Sequence, residues 1–409
     1  MQLSVEKEVP EFVEEAAEAP QVFMKASMGL YENSVRAKGM TLTMQQIVAL
    51  HLYEQKGLSL PTTSEQVIAY LGYERGAGAG LEPPDFLRTF SIINTHAKRW
   101  NPIRQRIKDV GGELKVFAVQ MLQYGISIEE VIDQIKGTKT LDELGIHTLE
   151  DLKRVKEVMG DKFPDLTLDA KDSEIATDFG YYIDQILLKI KSHEEKAQQL
   201  KTELTVFGDD LATKVRPEIT LKLTAITNSS LKDEVVVLKK AIDDRALEID
   251  ELTRAYKKLV LDSLQAAAGA NLVGLGMAIY FGVEAEAVRK SLKELKAQQA
   301  KDIASVTEKS RIVGRLSLIK ADMQDLELLT IDADIATKNL ITVWNKLHHY
   351  TKTSKNEADA ITDAMQARRF ARHFAQVVEP WGLIRDQADD LISVFDEADE
   401  EIKRLGADQ

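Results

Sequence analysis

The side chains in this sequence that could do chemistry are histidines, carboxylates and hydroxyls, and their spacing forms no recognised site. The histidines are His51, His96, His147, His193, His348, His349 and His373. They share no metal-ligand spacing, and adjacent His348 and His349 point to different helix faces, so solvated or capping roles are expected. Asp243 and Asp244 lie along a polar helix surface without an apolar pocket to raise a carboxyl pKa. No serine or threonine sits in a nucleophile elbow. The sequence predicts a non-enzyme without metal or cofactor.

Two further motifs are weak candidates for ligand binding. Gly76, Gly78 and Gly80 resemble a phosphate-cradling loop, but the preceding strand and the remaining spacing are missing. We therefore expect a plain loop and no small-molecule substrate. Arg368, Arg369 and Arg372 form a basic cluster. A solvated face paired with nearby acids is the default interpretation, and an anion or lipid-headgroup contact is the alternative.

The most distinctive segment is residues 263–283, SLQAAAGANLVGLGMAIYFGV, which carries no charge between Asp262 and Glu284. About 20 such residues are what a helix needs to cross a bilayer. The candidate membrane-inserting residues are Leu264, Ala267, Leu272, Val273, Leu275, Met277, Ile279, Tyr280, Phe281 and Val283. Small residues recur at every fourth position, a spacing that permits close helix packing: Ala266, Ala270, Gly274, Ala278 and Gly282. A buried core helix of a soluble bundle is the alternative interpretation.

Amphipathic segments flank this apolar stretch on both sides. The upstream segment has a heptad stripe at Leu231, Val235, Leu238, Ile242, Arg245, Ile249, Leu252, Tyr256 and Leu259. A less strict stripe runs from Val288 to Leu326. The pattern predicts two long helical arms joined through an apolar, glycine-rich tip. A first arm from Glu218 to Asp262 would be on the order of 65 Å long.

Composition supports an all-α fold of long helices. The chain of 409 residues has 6% aromatic and 29% charged residues, and no strand pattern is convincing. A net charge of −13 argues against nucleic acid and against electrostatic capture by an anionic membrane. There is no cysteine, and the N-terminus lacks the hydrophobic region of a Sec-type signal peptide.

Local signals predict where helices begin and end. Residues 1–20 read as a frayed acidic lead-in, and Gly57 and Gly72 as helix stops. Gly111-Gly112 is expected to end or break a helix, as are the segments 208–217 and 351–354.

Five motifs carry a resemblance to a known family. They are GLSLP (Gly57 to Pro61), AYLGY (Ala69 to Tyr73), AGLEP (Ala79 to Pro83), NTHAKRW (Asn94 to Trp100) and QVVEPWGLIRDQADDLISVFDEA (Gln376 to Ala398). Together they resemble the A component of the alpha-xenorhabdolysin-type binary pore-forming toxins, the XaxA/YaxA family. The motifs bracket the chain, the middle matches in pattern only, and residues 111–215 align loosely.

The resemblance implies an elongated rod with a ClyA-like α-pore-forming toxin architecture. It implies a cytolysin whose soluble, secreted A component joins a B subunit in a hetero-oligomeric ring on the target-cell membrane. It also implies a helical-bundle tail built from both ends of the chain. Residues 1–217 would then form mainly tail and part of a neck. Residues 218–350 would form a coiled-coil neck with the tip at 263–283, and residues 351–409 would return to the tail.

The length of the tip bears on the role of this chain. If the arms run antiparallel, the apolar stretch turns back around 269–271 or 274–276. Each limb then reaches roughly 15 Å, half of a hydrocarbon core about 30 Å thick. Such a tip can anchor but can scarcely perforate, so we expect a membrane-binding and scaffold role. The alternative is a coiled-coil adaptor or tether with one permanent transmembrane helix and its arms on opposite sides of the membrane.

Overall fold

The computed structural model describes residues 9–30, 37–75, 79–227, 233–268 and 283–407. These residues form α1 (Glu11–Ser27), α2 (Met44–Leu58), α3 (Ser64–Leu71), α4 (Pro83–Ala97), α5 (Trp100–Gln134), α6 (Lys136–Glu143), α7 (Leu149–Met159), α8 (Ala170–Asp210), α9 (Arg216–Thr227), α10 (Asp233–Ala268), α11 (Val283–Lys309), α12 (Arg311–Asp359), α13 (Ala364–Val378) and α14 (Trp381–Ala407). A 3₁₀ turn covers Gly160–Lys162 and a π-helical turn covers Leu211–Val215. The described residues contain no β-strand, only an isolated bridge between Thr167 and Asp363. The all-α prediction is confirmed.

Local sequence signals set several helix starts. Thr43, Thr63 and Thr148 each accept a hydrogen bond from the backbone N–H three residues on, in complete capping boxes. Gly72 ends α3 with φ of 80°, a left-handed conformation that favours glycine, as the sequence predicted.

The chain divides into two compact units. The first comprises residues 1–24, 110–197 and 340–389, and the second comprises residues 25–109, 198–339 and 390–409. Each unit therefore draws on three separated stretches of sequence, and each is described by itself.

The first unit is built around an aromatic cluster. Phe117 packs edge-on against Trp344 and Trp381, with ring centroids 4.9 Å apart in both pairs. The imidazole of His193 stacks on Trp344 at 5.1 Å. All three large rings of the cluster are buried, so this cluster forms the centre of the unit's core.

Helix α1 corrects the expectation of a frayed lead-in over residues 11–20, while residues 1–8 lie outside the described part of the chain. Val13, Ala16, Ala19 and Phe23 are at most 1% exposed, and Pro20 lies inside the helix. The spacing of these apolar residues places them on one face, so burial of that face outweighs the helix-breaking effect of the proline.

Two predicted helix breaks are also wrong. Helix α5 continues through Gly111-Gly112, and α12 continues through residues 351–354. Around the glycines, Val110, Leu114 and Phe117 are buried. In α12, Thr351 is buried and its hydroxyl donates to the Leu347 carbonyl, 2.6 Å away. Tertiary packing overrides weak local propensity at both places.

The second unit contains a close approach between α2 and α4. Gly57 lies inside α2, one residue before its end, and does not terminate it. A methyl group at this position would come within 2.5 Å of the Ala97 Cβ. Asn94 of α4 also donates to the Gly57 carbonyl at 3.2 Å. Glycine is needed here for packing, which corrects its assignment as a helix stop.

This contact generates a prediction with an internal control. Gly57→Ala overfills the α2/α4 contact and should lower the free energy of unfolding by about 1 to 3 kcal/mol. Gly112→Ala has no atom within 4 Å of the new methyl group and lies in a helix interior. It should stabilise by about 0.5 to 1 kcal/mol. Thermal denaturation followed by circular dichroism measures both, and equal effects of the two changes would contradict the role of Gly57 in packing.

Candidate membrane-binding hairpin

Helices α10 and α11 pack side by side as an antiparallel pair. Near one end, the Arg245 guanidinium of α10 contacts the Asp302 carboxylate of α11, with Nη2 to Oδ2 at 2.5 Å. Towards the other end, Arg289 Nε donates to the Tyr256 hydroxyl at 3.1 Å, and its guanidinium lies over the Tyr256 ring. Residues further along α10 contact residues earlier in α11, so the two helices run antiparallel. They flank the apolar stretch as the limbs of a hairpin.

From Val235 onward the buried face of α10 agrees with the predicted stripe at every second position, and the predicted Leu231 lies outside the described residues. Its buried residues are Val235, Lys239, Ile242, Ala246, Ile249, Thr253 and Tyr256. The predicted Leu238, Arg245 and Leu252 are half-buried, and the residue after each of them is buried instead. Helix α10 contacts α12 as well as α11. Its buried face is therefore shifted by one residue at these positions relative to the face that a pair of two helices would bury.

The predicted first arm is not one continuous helix. Arg216 of α9 contacts Asp250 of α10, with Nη2 to Oδ2 at 2.6 Å across 34 residues. In a straight helix these residues would be about 51 Å apart. Helices α9 and α10 therefore do not continue each other as one straight helix, and the residues that join them, 228–232, lie outside the described part of the chain. The intervening sequence includes Asn228, Ser229 and Ser230, which are residues that favour turns over helix interiors.

The predicted second arm also divides in two, at Ser310. A methyl group on Gly314 would come within 2.6 Å of the Thr307 Cα, and Gln299 donates to Gln324 at 3.1 Å. These contacts show that α12 turns back along α11. The close approach at Gly314 leaves no room for a side chain, so this position of α12 requires glycine.

The predicted tip residues fall into two groups. Leu264, Ala266 and Ala267 lie in the last turns of α10, and Val283 begins α11. The remaining predicted residues lie outside the described part of the chain: Ala270, Leu272, Val273, Gly274, Leu275, Met277, Ala278, Ile279, Tyr280, Phe281 and Gly282. The predicted positions of the turn fall there as well. Among the described helices, none has an apolar run long enough to cross a membrane.

Among the histidines, His96 has a structural role. His96 is buried, with Nε2 2.9 Å from the Phe207 carbonyl and Nδ1 2.7 Å from the Tyr53 hydroxyl. Burial lowers the pKa of His96, so the ring is neutral, donating to Phe207 and accepting from Tyr53. The described residues contain no group of three or more His, Asp or Glu side chains that could hold a metal ion.

Arg368 has a role that the sequence did not reveal. Its guanidinium donates to the carbonyls of Ile146 at 2.6 Å and Thr138 at 2.9 Å, and it also contacts Asp142. Its side chain is only 16% exposed. This arginine ties α13 to α6 and to the turn after α6, which is a structural role, while neighbouring Arg369 is exposed.

A π-helical turn replaces the break predicted at residues 208–217. The Arg216 N–H donates to the Leu211 carbonyl, five residues back, and Pro217, which has no N–H, follows directly. The proline is the one sequence signal for this irregularity. The turn joins α8 to α9, so the chain continues as helix up to Thr227.

The described helices have the fold of α-pore-forming toxins. Soluble SmhA of the tripartite α-pore-forming toxin from Serratia marcescens superimposes with a TM-score of 0.50 at 12% identity, covering 93% of this chain and 95% of that one. No protein-family model matches the chain, and no curated protein sequence matches it.

The particular resemblance predicted from the motifs is confirmed. The chain is similar to YaxA from Yersinia enterocolitica, with 26% identity, a TM-score of 0.48, and coverage of 89% of this chain and 100% of that one. It is also similar to XaxA from Xenorhabdus nematophila, with 24% identity, a TM-score of 0.45, and coverage of 90% and 99%.

The ion pair between Arg245 and Asp302 predicts that removing one partner lowers the free energy of unfolding more than replacing both. Arg245 and Asp302 are 22% and 18% exposed, so removing one partner leaves a poorly hydrated charge. Asp302→Ala should cost about 1.5 to 3 kcal/mol. The double variant Arg245→Leu/Asp302→Leu should recover most of that loss, because it removes both charges and adds apolar surface. Denaturant unfolding of the four proteins in the cycle measures the coupling. Additive effects would show that the pair does not hold α10 to α11.

Proposed function

We propose that this chain is the A component of a two-component α-pore-forming cytolysin. It binds the target-cell membrane through the apolar tip at residues 263–283 and recruits or stabilises a B subunit in a lytic oligomeric pore. The observation that carries the proposal is the antiparallel pairing of α10 and α11 on either side of the uncharged stretch. This pairing brings both ends of the stretch to one end of a helical hairpin.

The partner in this proposal comes from the sequence resemblance. XaxAB and YaxAB form pore complexes that pair an A component with a B component. A hairpin tip of half-membrane reach fits the attaching member of such a pair, with the pore wall supplied largely by the other. The net charge of −13 supports hydrophobic or receptor-led attachment in place of electrostatic capture.

The remaining parts of the proposal concern location and chemistry. The chain is secreted and is a soluble monomer before attack. It acts without a cofactor, nucleic acid or small-molecule substrate, and it is not an enzyme. The fold of soluble SmhA is consistent with a soluble first state.

The permanent-tether alternative requires arms that lie on opposite sides of a membrane. Such arms could not contact each other, whereas Arg245 and Asp302 form an ion pair across α10 and α11. The pairing therefore favours the hairpin over a single spanning helix.

Charged substitutions in the tip test the attachment step. Leu275→Asp or Ile279→Asp puts a charge where the cost is about 2.5 to 3.5 kcal/mol at a bilayer centre, so liposome binding should fall steeply. Leu247→Asp is the matched control, because Leu247 lies on α10 and is 61% exposed. Flotation with liposomes measures binding, and circular dichroism checks helicity. Undiminished binding by both tip variants would exclude the tip as the anchor.

Order of addition tests the division of labour. The chain alone should bind erythrocytes or liposomes without releasing dye. Once unbound protein has been washed away, adding a candidate B subunit should start leakage. Leakage at comparable dose before the second protein is added would contradict the two-component proposal and would mean that this chain perforates membranes unaided.

A further inference from the structure

A cavity of about 560 Å³ lies in the second unit, between α4 and the π-helical turn that joins α8 to α9. Ile92 and Thr95 of α4 line one side, and Val215 of the π-helical turn lines the other. Thr95 belongs to the NTHAKRW motif, to which the proposed function gives no role. Small-molecule sites commonly measure about 300 to 1,000 Å³, so the cavity is large enough for a ligand.

The π-helical turn shapes one wall of this cavity. It covers Leu211–Val215 and packs against α4. Its extra residue rotates every following side chain by about 100° relative to an uninterrupted α-helix, so it decides which residues meet α4. Turns of this kind occur frequently at functional sites. The irregularity of the helix and the cavity are therefore found at the same place.

The inner surface of the cavity is apolar. Val215 is 1% exposed and His96 is 4% exposed. Both nitrogens of His96 are engaged, one with the Tyr53 hydroxyl and one with the Phe207 carbonyl. The ring therefore adds carbon surface to the cavity, and the half-buried side chain of Ile92 adds more. Such a surface favours the hydrocarbon part of a ligand.

Charge is distributed unevenly between the two ends of the cavity. At one end, Asp210 accepts from Arg99 at 2.6 Å and contacts Lys214 at 2.7 Å, so two cations share one carboxylate. At the other end, Arg88 forms a one-to-one pair with Glu218 at 2.8 Å. Arg88 and Arg99 are eleven residues apart, about 16 Å along a helix. The first end thus carries one excess positive charge, although the whole chain has a net charge of −13.

We propose that this cavity binds a small amphipathic monoanion, with a carboxylate, sulfonate or phosphodiester group attached to a hydrocarbon. The anionic group would lie beside Arg99 and Lys214, and the hydrocarbon would extend along Ile92 and Val215. Lys214 is 66% exposed, so its ion pairs contribute little affinity. The hydrocarbon therefore supplies most of the affinity, and the charge selects the ligand. Binding needs neither a membrane nor a second protein, so the inference stands apart from the proposed function.

Protection of a single thiol tests binding at this cavity and not at the apolar stretch. The chain has no cysteine, so Thr95→Cys supplies its only thiol, at an exposed position. Saturating decanoate should slow its alkylation by N-ethylmaleimide by about fivefold or more. Thr205→Cys is the matched control, because Thr205 is exposed on α8 and does not line the cavity. Equal effects of decanoate on both thiols, or none on Thr95→Cys, would overturn the proposal.

The charge requirement is tested on the probe and on the protein. Decanol and decyltrimethylammonium carry the same hydrocarbon chain without the negative charge, and each should protect about fivefold more weakly. In the Thr95→Cys protein, Lys214→Glu should raise the decanoate concentration for half-protection by about fivefold. Lys240→Glu makes the same change in net charge at an exposed position of α10 and should leave that concentration unchanged. Equal protection by all three amphiphiles would contradict selection of an anion.

Vesicles distinguish a free ligand from one held in a membrane. Phosphatidylglycerol vesicles present a phosphodiester monoanion with hydrocarbon chains, and phosphatidylcholine vesicles are their zwitterionic control. Protection by decanoate but not by vesicles assigns the cavity to a free amphiphile, and protection by phosphatidylglycerol alone assigns it to a membrane lipid. Protection by neither would overturn the proposal. Loss of vesicle binding with decanoate protection intact would count against the proposed function alone.

Discussion

The antiparallel pairing of α10 with α11 determines what the uncharged apolar stretch between them can do. It brings the two ends of that stretch to one end of a hairpin, so a single structure can carry the stretch without crossing a bilayer. The pairing includes the ion pair between Arg245 and Asp302 and the contact of Arg289 with Tyr256, and each limb has buried apolar residues, such as Ile249 and Leu292. Burial supplies most of the free energy, and the charged pair fixes the register.

Within the second unit the hairpin also contacts α12. Gln324 of α12 donates to the Ala246 carbonyl and the Asp250 carboxylate of α10, and it accepts from Gln299 of α11. One buried amide of α12 therefore contacts both limbs of the hairpin, and a buried polar contact of this kind specifies one arrangement of the three helices.

Periodicity predicted the helices better than it predicted their connections. The heptad spacing at Val235, Ile242, Ile249 and Tyr256 marks the buried face of α10 correctly, because a regular apolar stripe must face a partner. The division of the first arm into α9 and α10 and of the second arm at Ser310 was missed, since a stripe shows that a helix has a partner but not which helix that is. Pro20 and Gly57 misled for a related reason. Their local preferences are outweighed by burial of Phe23 and by the close approach of Ala97.

The candidate site was predictable only in part. The lack of charge between Asp262 and Glu284 marks the stretch in the sequence, and the motifs near both ends of the chain indicate the toxin family. The roles of Gln324 and Arg368 could not be predicted, because each depends on partners 25 to 230 residues away in sequence. A glutamine in a helical stripe looks the same whether it is solvated or buried against two helices.

The most direct test of attachment through the hairpin is the depth of the tip in lipid. Leu275→Cys, in a chain that has no other thiol, can be labelled with an environment-sensitive fluorophore and mixed with liposomes whose lipids carry a quencher at a known depth. We predict a blue-shifted emission and strong quenching by acyl-chain quenchers, while the same label on Lys240→Cys, an exposed position on α10, stays aqueous. An aqueous signal from both positions on liposomes that bind the protein would contradict attachment through the apolar tip.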